Sequence, residues 1–477
     1  MAGRAPLLTI DDFSAGIIRD ASIPAKNAFQ TLRELSIVDS PGLLQMEGLP
    51  TAETEAAAAD DIQTLIRWFE SYDGNGGTLR LMGLGSAGRM FVRSAAGTWT
   101  RRNTDANAGQ GQGMCRFGTR VFWGSDTNIG QVNGNPEAGG SYTNSYLTVT
   151  LGAAFASGTT QVYRPMKEFL GNLFVGDGRY LFKLESDYTT FDNDAFILPI
   201  NHTVSSLEVW NDRLAIGTYY GTGNINDAFG ARVFLWDGVS PRADVIEDAD
   251  TEGVAALINL NEQLYMAGGR SGSFYLFNGT EWALVRAIPG ANAANLIRPS
   301  MVARKDDNIF IGYDSRGIFR WGRPDTTIPY SLTTAYRPSA NQTNFNIGAI
   351  TNFQNQIYFS WQDTDAATFG VDAVSTTSYR TGGVLESQIY EIEDKGNTRL
   401  IQAIEVIPRT FTTNHTITVD YKLDNAAAYT NLGTLSSTNI NQPLYGIFSR
   451  GKTIQFRLTL LTALATSTPT ISKILVY

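Results

Sequence analysis

The stretch Trp210-Asn-Asp-Arg-Leu-Ala-Ile-Gly217 is a polar turn followed by an apolar, β-prone run that ends on glycine. The same phrase stands at Phe117-Gly-Thr-Arg-Val-Phe-Trp-Gly124, Leu170-Gly-Asn-Leu-Phe-Val-Gly176, Asn261-Glu-Gln-Leu-Tyr-Met-Ala-Gly268, Asp306-Asp-Asn-Ile-Phe-Ile-Gly312 and Phe353-Gln-Asn-Gln-Ile-Tyr-Phe-Ser360. Gly77-Thr-Leu-Arg-Leu-Met-Gly83 is a looser first copy. The first apolar residues of these runs (Leu79, Val121, Leu173, Leu214, Leu264, Ile309 and Ile357) lie 41–52 residues apart. A second aromatic-rich run follows most of them, as in Gly178-Arg-Tyr-Leu-Phe-Lys183 and Gly317-Ile-Phe-Arg-Trp321. The first copy displays a whole unit of four strands, at residues 62–69, 78–83, 88–93 and 97–102. Four short strands repeating at this spacing mark a β-propeller blade.

Packing explains the texture. A four-stranded blade buries both faces only by stacking on its neighbours, so its strands read as nearly continuous apolar runs. All eight tryptophans fall between residues 68 and 361. The expectation is an all-β chain with a β-propeller of about seven divergent four-stranded blades over residues 62–397. From residue 398 the pattern changes to strict alternation, with Ile417, Val419, Tyr421 and Leu423, then Ile454, Phe456, Leu458 and Leu460, each separated by polar partners. Period-two alternation marks strands buried on one face. Residues 398–477 therefore read as a small β-sandwich of jelly-roll type. Residues 1–61 read as an extended N-terminal arm and connector, with a helix-compatible stretch at residues 51–60.

Composition narrows the function. Of 477 residues, 37 are Lys or Arg and 46 are Asp or Glu, a formal net charge of −9. That balance argues against a basic nucleic-acid clamp, whose affinity rests on neutralising phosphates. One cysteine, Cys115, excludes an intrachain disulfide and a cysteine-rich zinc site. Two histidines, His202 and His415, leave little room for a Ser-His-Asp hydrolase or a histidine-rich metal centre. The opening residues lack the apolar core of a signal peptide, and no apolar run approaches the ~18 residues of a membrane span. The expectation is synthesis in the cytosol and no membrane span.

The opening also carries a resemblance. Asp12-Phe-Ser-Ala-Gly-Ile17, Ile23-Pro-Ala-Lys-Asn-Ala-Phe29 and the segment around Pro41-Gly-Leu-Leu44 follow one another in an order that resembles the start of tailed-bacteriophage tail proteins. Met46-Glu-Gly48 stands where that pattern carries an arginine and a glycine. Near the other end, Arg450-Gly-Lys-Thr-Ile-Gln-Phe-Arg-Leu458 and Ser467-Thr-Pro-Thr-Ile471 resemble the ends of phage sandwich domains. The layout of arm, propeller and sandwich is similar to nozzle or hub proteins of the distal tail tube. The resemblance implies a virion protein in a hexameric ring. Its partners would be adaptor and fibre proteins, with genomic DNA passing without specific binding. It implies no catalytic residue. A tip or stopper protein of a long-tailed phage, built on the same modules, is the near alternative. A glycan-recognising propeller, lectin-like or weakly hydrolytic, is the alternative from another class, and a cellular scaffold is a third.

No motif claims a site. Gly83-Leu-Gly-Ser-Ala-Gly88 has the spacing of a dinucleotide fingerprint, but a strand follows it where the pyrophosphate needs a helix, so it reads as a hairpin turn. Ser71 to Thr78 and Tyr313-Asp-Ser-Arg-Gly317 resemble the Asp-box turns of sialidase propellers, which are structural. The carboxylates of residues 247–252 and of Asp363 and Asp365 lack calcium-loop spacing. Cys115 reads as a buried thiol, and both histidines read as turn residues. Catalytic, cofactor-binding and metal-ligating residues are all expected to be none, with no cofactor.

Overall fold

The computed structural model describes residues 6–17, 28–39, 42–55, 62–74, 76–105, 111–124, 128–148, 163–220, 231–248, 253–268, 272–288, 297–323, 330–341, 343–392, 397–440 and 442–477. Among them there is no α-helix. Of the helix-compatible stretch 51–60, residues 51–55 are extended instead, forming the end of Gly48–Ala52 and Thr54–Glu55 in blade sheets; residues 56–60 and the acidic residues 249–252 lie outside the described set.

The repeated phrase is the first hairpin of a blade. Its polar turn joins an inner strand to a second strand across two residues. Asn211-Asp212, Asn261-Glu262 and Gln354-Asn355 all hold both φ angles between 47° and 63°, and Leu170-Gly171 holds 49° and 72°. Two successive positive φ values make a type I′ turn, whose twist matches that of the flanking strands. Asn, Asp and Gly tolerate that region best, which is why these turns are polar.

Seven sheets follow in chain order. Blade 1 is Ile66–Tyr72, Arg80–Gly85, Arg89–Arg93 and Thr98–Thr104, with Thr54–Glu55 added parallel outside it. Blade 2 begins at Met114–Phe117, blade 3 at Met166–Phe169, blade 4 at His202–Trp210 and blade 5 at Val254–Leu260. Blade 6 begins at Val302–Lys305 and blade 7 at Phe345–Phe353. The fourth strand of blade 7 is Gly48–Ala52, so the chain's beginning completes its last blade. Each inner strand neighbours the next, and the strand of blade 7 returns to that of blade 1. The chain is a closed seven-bladed β-propeller followed by a β-sandwich.

Between consecutive blades lies one layer of buried apolar side chains. Phe174, Leu181 and Phe196 of blade 3 meet Val204, Leu214, Phe234 and Trp236 of blade 4. The closing layer sets Ile66, Leu81, Phe91 and Trp99 of blade 1 against Phe353, Tyr358 and Val371 of blade 7. The glycine that ends the repeated phrase has a steric cause. A Cβ on Gly176, Gly217 or Gly312 would come 2.5–2.9 Å from Val204, Val254 or Ile347 on the next inner strand, and one on Gly124 would come 2.9 Å from Arg164 just before it. Blades can close to this pitch only where the facing position has no side chain.

By compactness the chain divides into two units, one of residues 51–317 and 337–373, the other of residues 1–50, 318–336 and 374–477. The second contains the sandwich. One of its sheets runs Leu8–Ile10, Thr470–Val476, Arg399–Thr410, Leu444–Gly451. The other runs Gly16–Ile17, Ala28–Arg33, Gly382–Ser387, Thr453–Thr462, His415–Leu423, Thr430–Leu435. Ile417, Val419, Ile454, Phe456, Leu458 and Leu460 are fully buried in the core between them, joined by Phe13, Phe29, Leu32 and Leu44 from the first fifty residues. Strand Ser331–Tyr336 packs on Gly16–Ile17, Ala28–Arg33 and Leu35–Ser36.

Candidate functional site

The residues singled out in sequence have structural surroundings. Ser86–Gly88 is a single 3-10 turn between strands Arg80–Gly85 and Arg89–Arg93. Asp73 pairs with Arg116 at 3.2 Å. Asp363 accepts from the backbone N–H of Asp365 and Ala366 and from Asn341 Nδ2, and these bonds hold its carboxyl below the usual range. Asn344 Nδ2 donates to both oxygens of Asp365. Cys115 lies on strand Met114–Phe117 and is half-buried rather than fully buried, its Sγ donating to Arg116 O; desolvation followed by the charge of Glu70 pushes the thiol up. His202 Nδ1 is 3.3 Å from Thr218 Oγ1, and His415 Nε2 is 2.7 Å from Ser467 Oγ. Burial lowers the pKa of His415. No group of three or more His, Cys, Asp or Glu among the described residues is placed to hold a metal. No helix among them is long and apolar enough to cross a membrane.

A different set of residues converges, one that the motifs do not announce. The inner strands slip register near their starts. Ser205 in blade 4, Ala255 in blade 5 and Gly348-Ala349 in blade 7 are the residues left out of the ladder. Ser205 and Ala255 are fully buried and Gly348 is held tightly, since a Cβ on it would lie 2.0 Å from Ile66 O. In blade 1 the slipped residue is Arg67, between Ile66 and Trp68. A bulge re-aims its extra side chain, and here that side chain is a guanidinium.

Arg67 is within electrostatic reach of Arg298, Tyr163 and Asp314. Tyr163 stands three residues before the inner strand of blade 3, and Arg298 four residues before that of blade 6. Blades 1, 3 and 6 are not neighbours, so this electrostatic influence acts across the ring rather than between adjacent blades. Arg298 is already engaged. It donates to Asp314 at 3.2 and 2.6 Å and to Ile347 O at 2.6 Å, while Ile347 N–H donates to Asp314 at 2.9 Å. Both Arg298 and Asp314 are 5% exposed. Burial alone would lower Arg298, and the charge of Asp314, that of Tyr163 and the Asp314 hydrogen bonds together outweigh it. Arg67 has no such partner among the described residues, and its Nε is buried without an acceptor. Desolvation, reinforced by Arg298, brings its pKa down to about 10. Burial pushes the Tyr163 phenol up. Arg67 itself is half-buried, and the charge of Asp314 acts on it as well as that of Arg298. The only trace of this arrangement in the sequence is an arginine inside the apolar run Ile66-Arg-Trp-Phe69.

No family model matches the chain, and no curated protein matches it. Among solved structures it is similar to the extracellular domain of a hybrid two component system from B. thetaiotaomicron, with 15% identity and a TM-score of 0.47. That match covers 78% of this chain and 45% of the other, so the chain spans less than half of that relative. It is also similar to the WD40 β-propeller domain of Doa1, with 12% identity, a TM-score of 0.43, and 69% and 98% of the two chains covered. A third is YCF48 from Cyanidioschyzon merolae, with 10% identity, a TM-score of 0.45, and 68% and 99% covered.

Proposed function

We propose that the chain is a structural virion protein, a subunit of the nozzle or hub ring that walls the DNA channel of a bacteriophage tail. The observation that carries this reading is the use made of the phage-like opening. Phe13 is fully buried and stacked on Phe29 at 5.7 Å between ring centroids. Gly16 has φ +67°, and a Cβ there would fall 2.5 Å from Leu332 O. Ile17 and Ala28 are buried beside them. The residues that resemble the phage signature are therefore the ones that dock the opening on the sandwich and on strand Ser331–Tyr336, a reason for such a signature to be written as it is.

A stiff, closed propeller with a sandwich suits a wedge in a hexameric ring, its contacts going to further copies and to adaptor and fibre proteins. The net charge of −9 suits a conduit, because a negative wall does not capture a sliding DNA backbone. No chemistry is asked of the chain in this role. The test is the copy number of this chain in density-purified particles, quantified by mass spectrometry against packaged DNA. About six copies per genome is the result expected of a closed ring of this symmetry class. About three would move the chain to a tip or fibre hub. Absence from particles would overturn the virion reading.

A further inference from the structure

Strand Thr453–Thr462 turns Ile454, Phe456 and Leu458 into the sandwich core and so sends Thr453, Gln455 and Arg457 to the opposite face, where Gln455 stands across the ladder from Lys422. There Lys422, Thr453 and Gln455 line a cavity of about 180 Å³ with Ile389, Asn425 and Ala426. Its walls are fixed. Asp424-Asn425 is a two-residue turn with φ of 49° and 61°, closed by the N–H of Ala426 donating to Leu423 O at 2.9 Å. Asp424 Oδ1 accepts from the backbone N–H of Lys452 and of Thr453, at 2.7 and 3.0 Å. Gln455 Nε2 donates to Gln30 Oε1 and to Ser387 O, both at 3.0 Å, which leaves its Oε1 without a donor among the described residues. Lys422 is half-buried, and its Nζ sits 4.2 Å from the centroid of the Tyr429 ring. The same ring takes Arg457 at 4.4 Å, and Arg457 is tied to Asp420 at 2.7 and 3.0 Å.

We propose that this cavity of the sandwich binds a single sugar ring that carries a carboxylate, a hexuronate unit of an acidic glycan. Three features select that class. Lys422 offers a compact cation that the Tyr429 ring already holds in place, so it meets a carboxylate at little ordering cost. Asn425, Thr453 and Gln455 bring two carboxamides and a hydroxyl, which match ring hydroxyls because a hydroxyl both donates and accepts. Ile389, 44% exposed, and Ala426 supply an apolar surface for the C–H groups of the ring. The volume lies below the roughly 300–1,000 Å³ of sites for drug-sized ligands, which suits one ring rather than a chain of them. Among the described residues that line the cavity none is acidic, so the ammonium of an amino acid would find no counterpart there. The inference is independent of the virion reading, since binding is a property of the single chain whatever particle holds it.

Ligand-observed NMR titrations on the full chain, at constant ionic strength, compare glucuronate and galacturonate with their neutral parents glucose and galactose, and with acetate. At least one hexuronate is expected to bind saturably, and its neutral parent and acetate about tenfold or more weakly, since each lacks one half of the match. Lys422→Gln should bring the hexuronate down to the level of its neutral parent. Lys452→Gln, at a lysine outside the lining, should leave it unchanged. No saturable binding of either hexuronate by the wild type would overturn the proposal without recourse to any variant. A neutral parent that binds as tightly would overturn the carboxylate, and acetate binding as tightly would overturn the sugar. Undiminished binding by Lys422→Gln, or an equal loss in Lys452→Gln, would overturn the assignment to this cavity.

Discussion

Gly217 faces Val254 of the next blade so closely that a Cβ on the glycine would lie 2.5 Å from Val254 Cγ1 and 2.3 Å from Ser206 Oγ. Neither neighbour can move freely, because Val254 is fully buried and pairs with Gly268, while Ser206 pairs with Gly217 itself. Gly217→Ala is expected to destabilise the chain by about 1–3 kcal/mol, the usual cost of overpacking a tight interior. Val254→Ala in the same chain opens the space, so the double variant should lose less than the sum of the singles. Chemical denaturation of the four chains of this cycle measures the coupling. Strict additivity would mean that the glycine is not there for the neighbouring blade.

That glycine also shows how far the sequence could be read. The turn, strand and glycine phrase lies on the surface of the sequence because every blade solves the same two local problems, a type I′ hairpin and a close approach to the next blade. Its spacing therefore announces a propeller. Strict alternation did the same for Ile417 and Val419 and for Ile454 to Leu460, which have one buried face. The first fifty residues announce nothing comparable. Their strands are two to six residues long, too short for a period to show, and their partners are remote: Leu8–Ile10 pairs with residues 474–476 and Ala28–Arg33 with residues 384–387. Gly382–Ser387 was equally silent, since it lies in sequence beside blade 7 and pairs in the sandwich. The link from Arg67 to Tyr163 and Arg298 was illegible for a related reason. Ring closure brings them within electrostatic reach, and no local pattern records which residues act on one another across the ring.

Glu47 gives a pH prediction of definite sign. It is 1% exposed, and neither of its carboxylate oxygens has a hydrogen-bond partner. Arg320 stands 3.6 Å away but gives its hydrogen bonds to Asp39, at 2.7 and 3.4 Å. Desolvation, only partly offset by Arg320, raises the Glu47 pKa from 4.5 to about 8. The folded chain thus keeps a proton that the unfolded chain releases. Stability referable to Glu47 is lost as pH rises from the unfolded value toward 8, and the loss is complete above it. Glu47→Gln, which keeps the neutral shape, should unfold at nearly the wild-type denaturant midpoint at pH 5 and at a higher one at pH 9. A wild-type advantage at pH 9 would mean that Glu47 is ionised and paired with Arg320.

Cys115 should report unfolding and nothing else. The thiolate is the reactive form, and desolvation beside Glu70 holds Cys115 in the thiol form well above neutral pH. A water-soluble disulfide reagent at pH 8 is expected to leave the native chain unlabelled and to label one thiol per chain in denaturant. Rapid labelling of the native chain would show that blade 2 opens at this strand.

Arg298 and Asp314 make the most exacting test of the ring. Their side chains are each 6% exposed, and together they bind both the N–H and the C=O of Ile347, so the pair fastens the beginning of blade 7. Removing Asp314 leaves an uncompensated buried charge and the N–H of Ile347 without its acceptor. Asp314→Ala should therefore cost about 3–5 kcal/mol, as broken buried ion pairs do. It also removes the carboxylate that offsets Arg298 within electrostatic reach of Arg67, so the repulsion between the two guanidinium groups adds to the loss. Replacing both partners, as Arg298→Met with Asp314→Leu, removes the charges together and should recover part of the loss, limited by the backbone groups of Ile347. Denaturant midpoints of the two variants decide the matter. If Asp314→Ala were as stable as the wild type, the ring would be held at this seam by apolar packing alone, and the ionic clasp would be incidental to it.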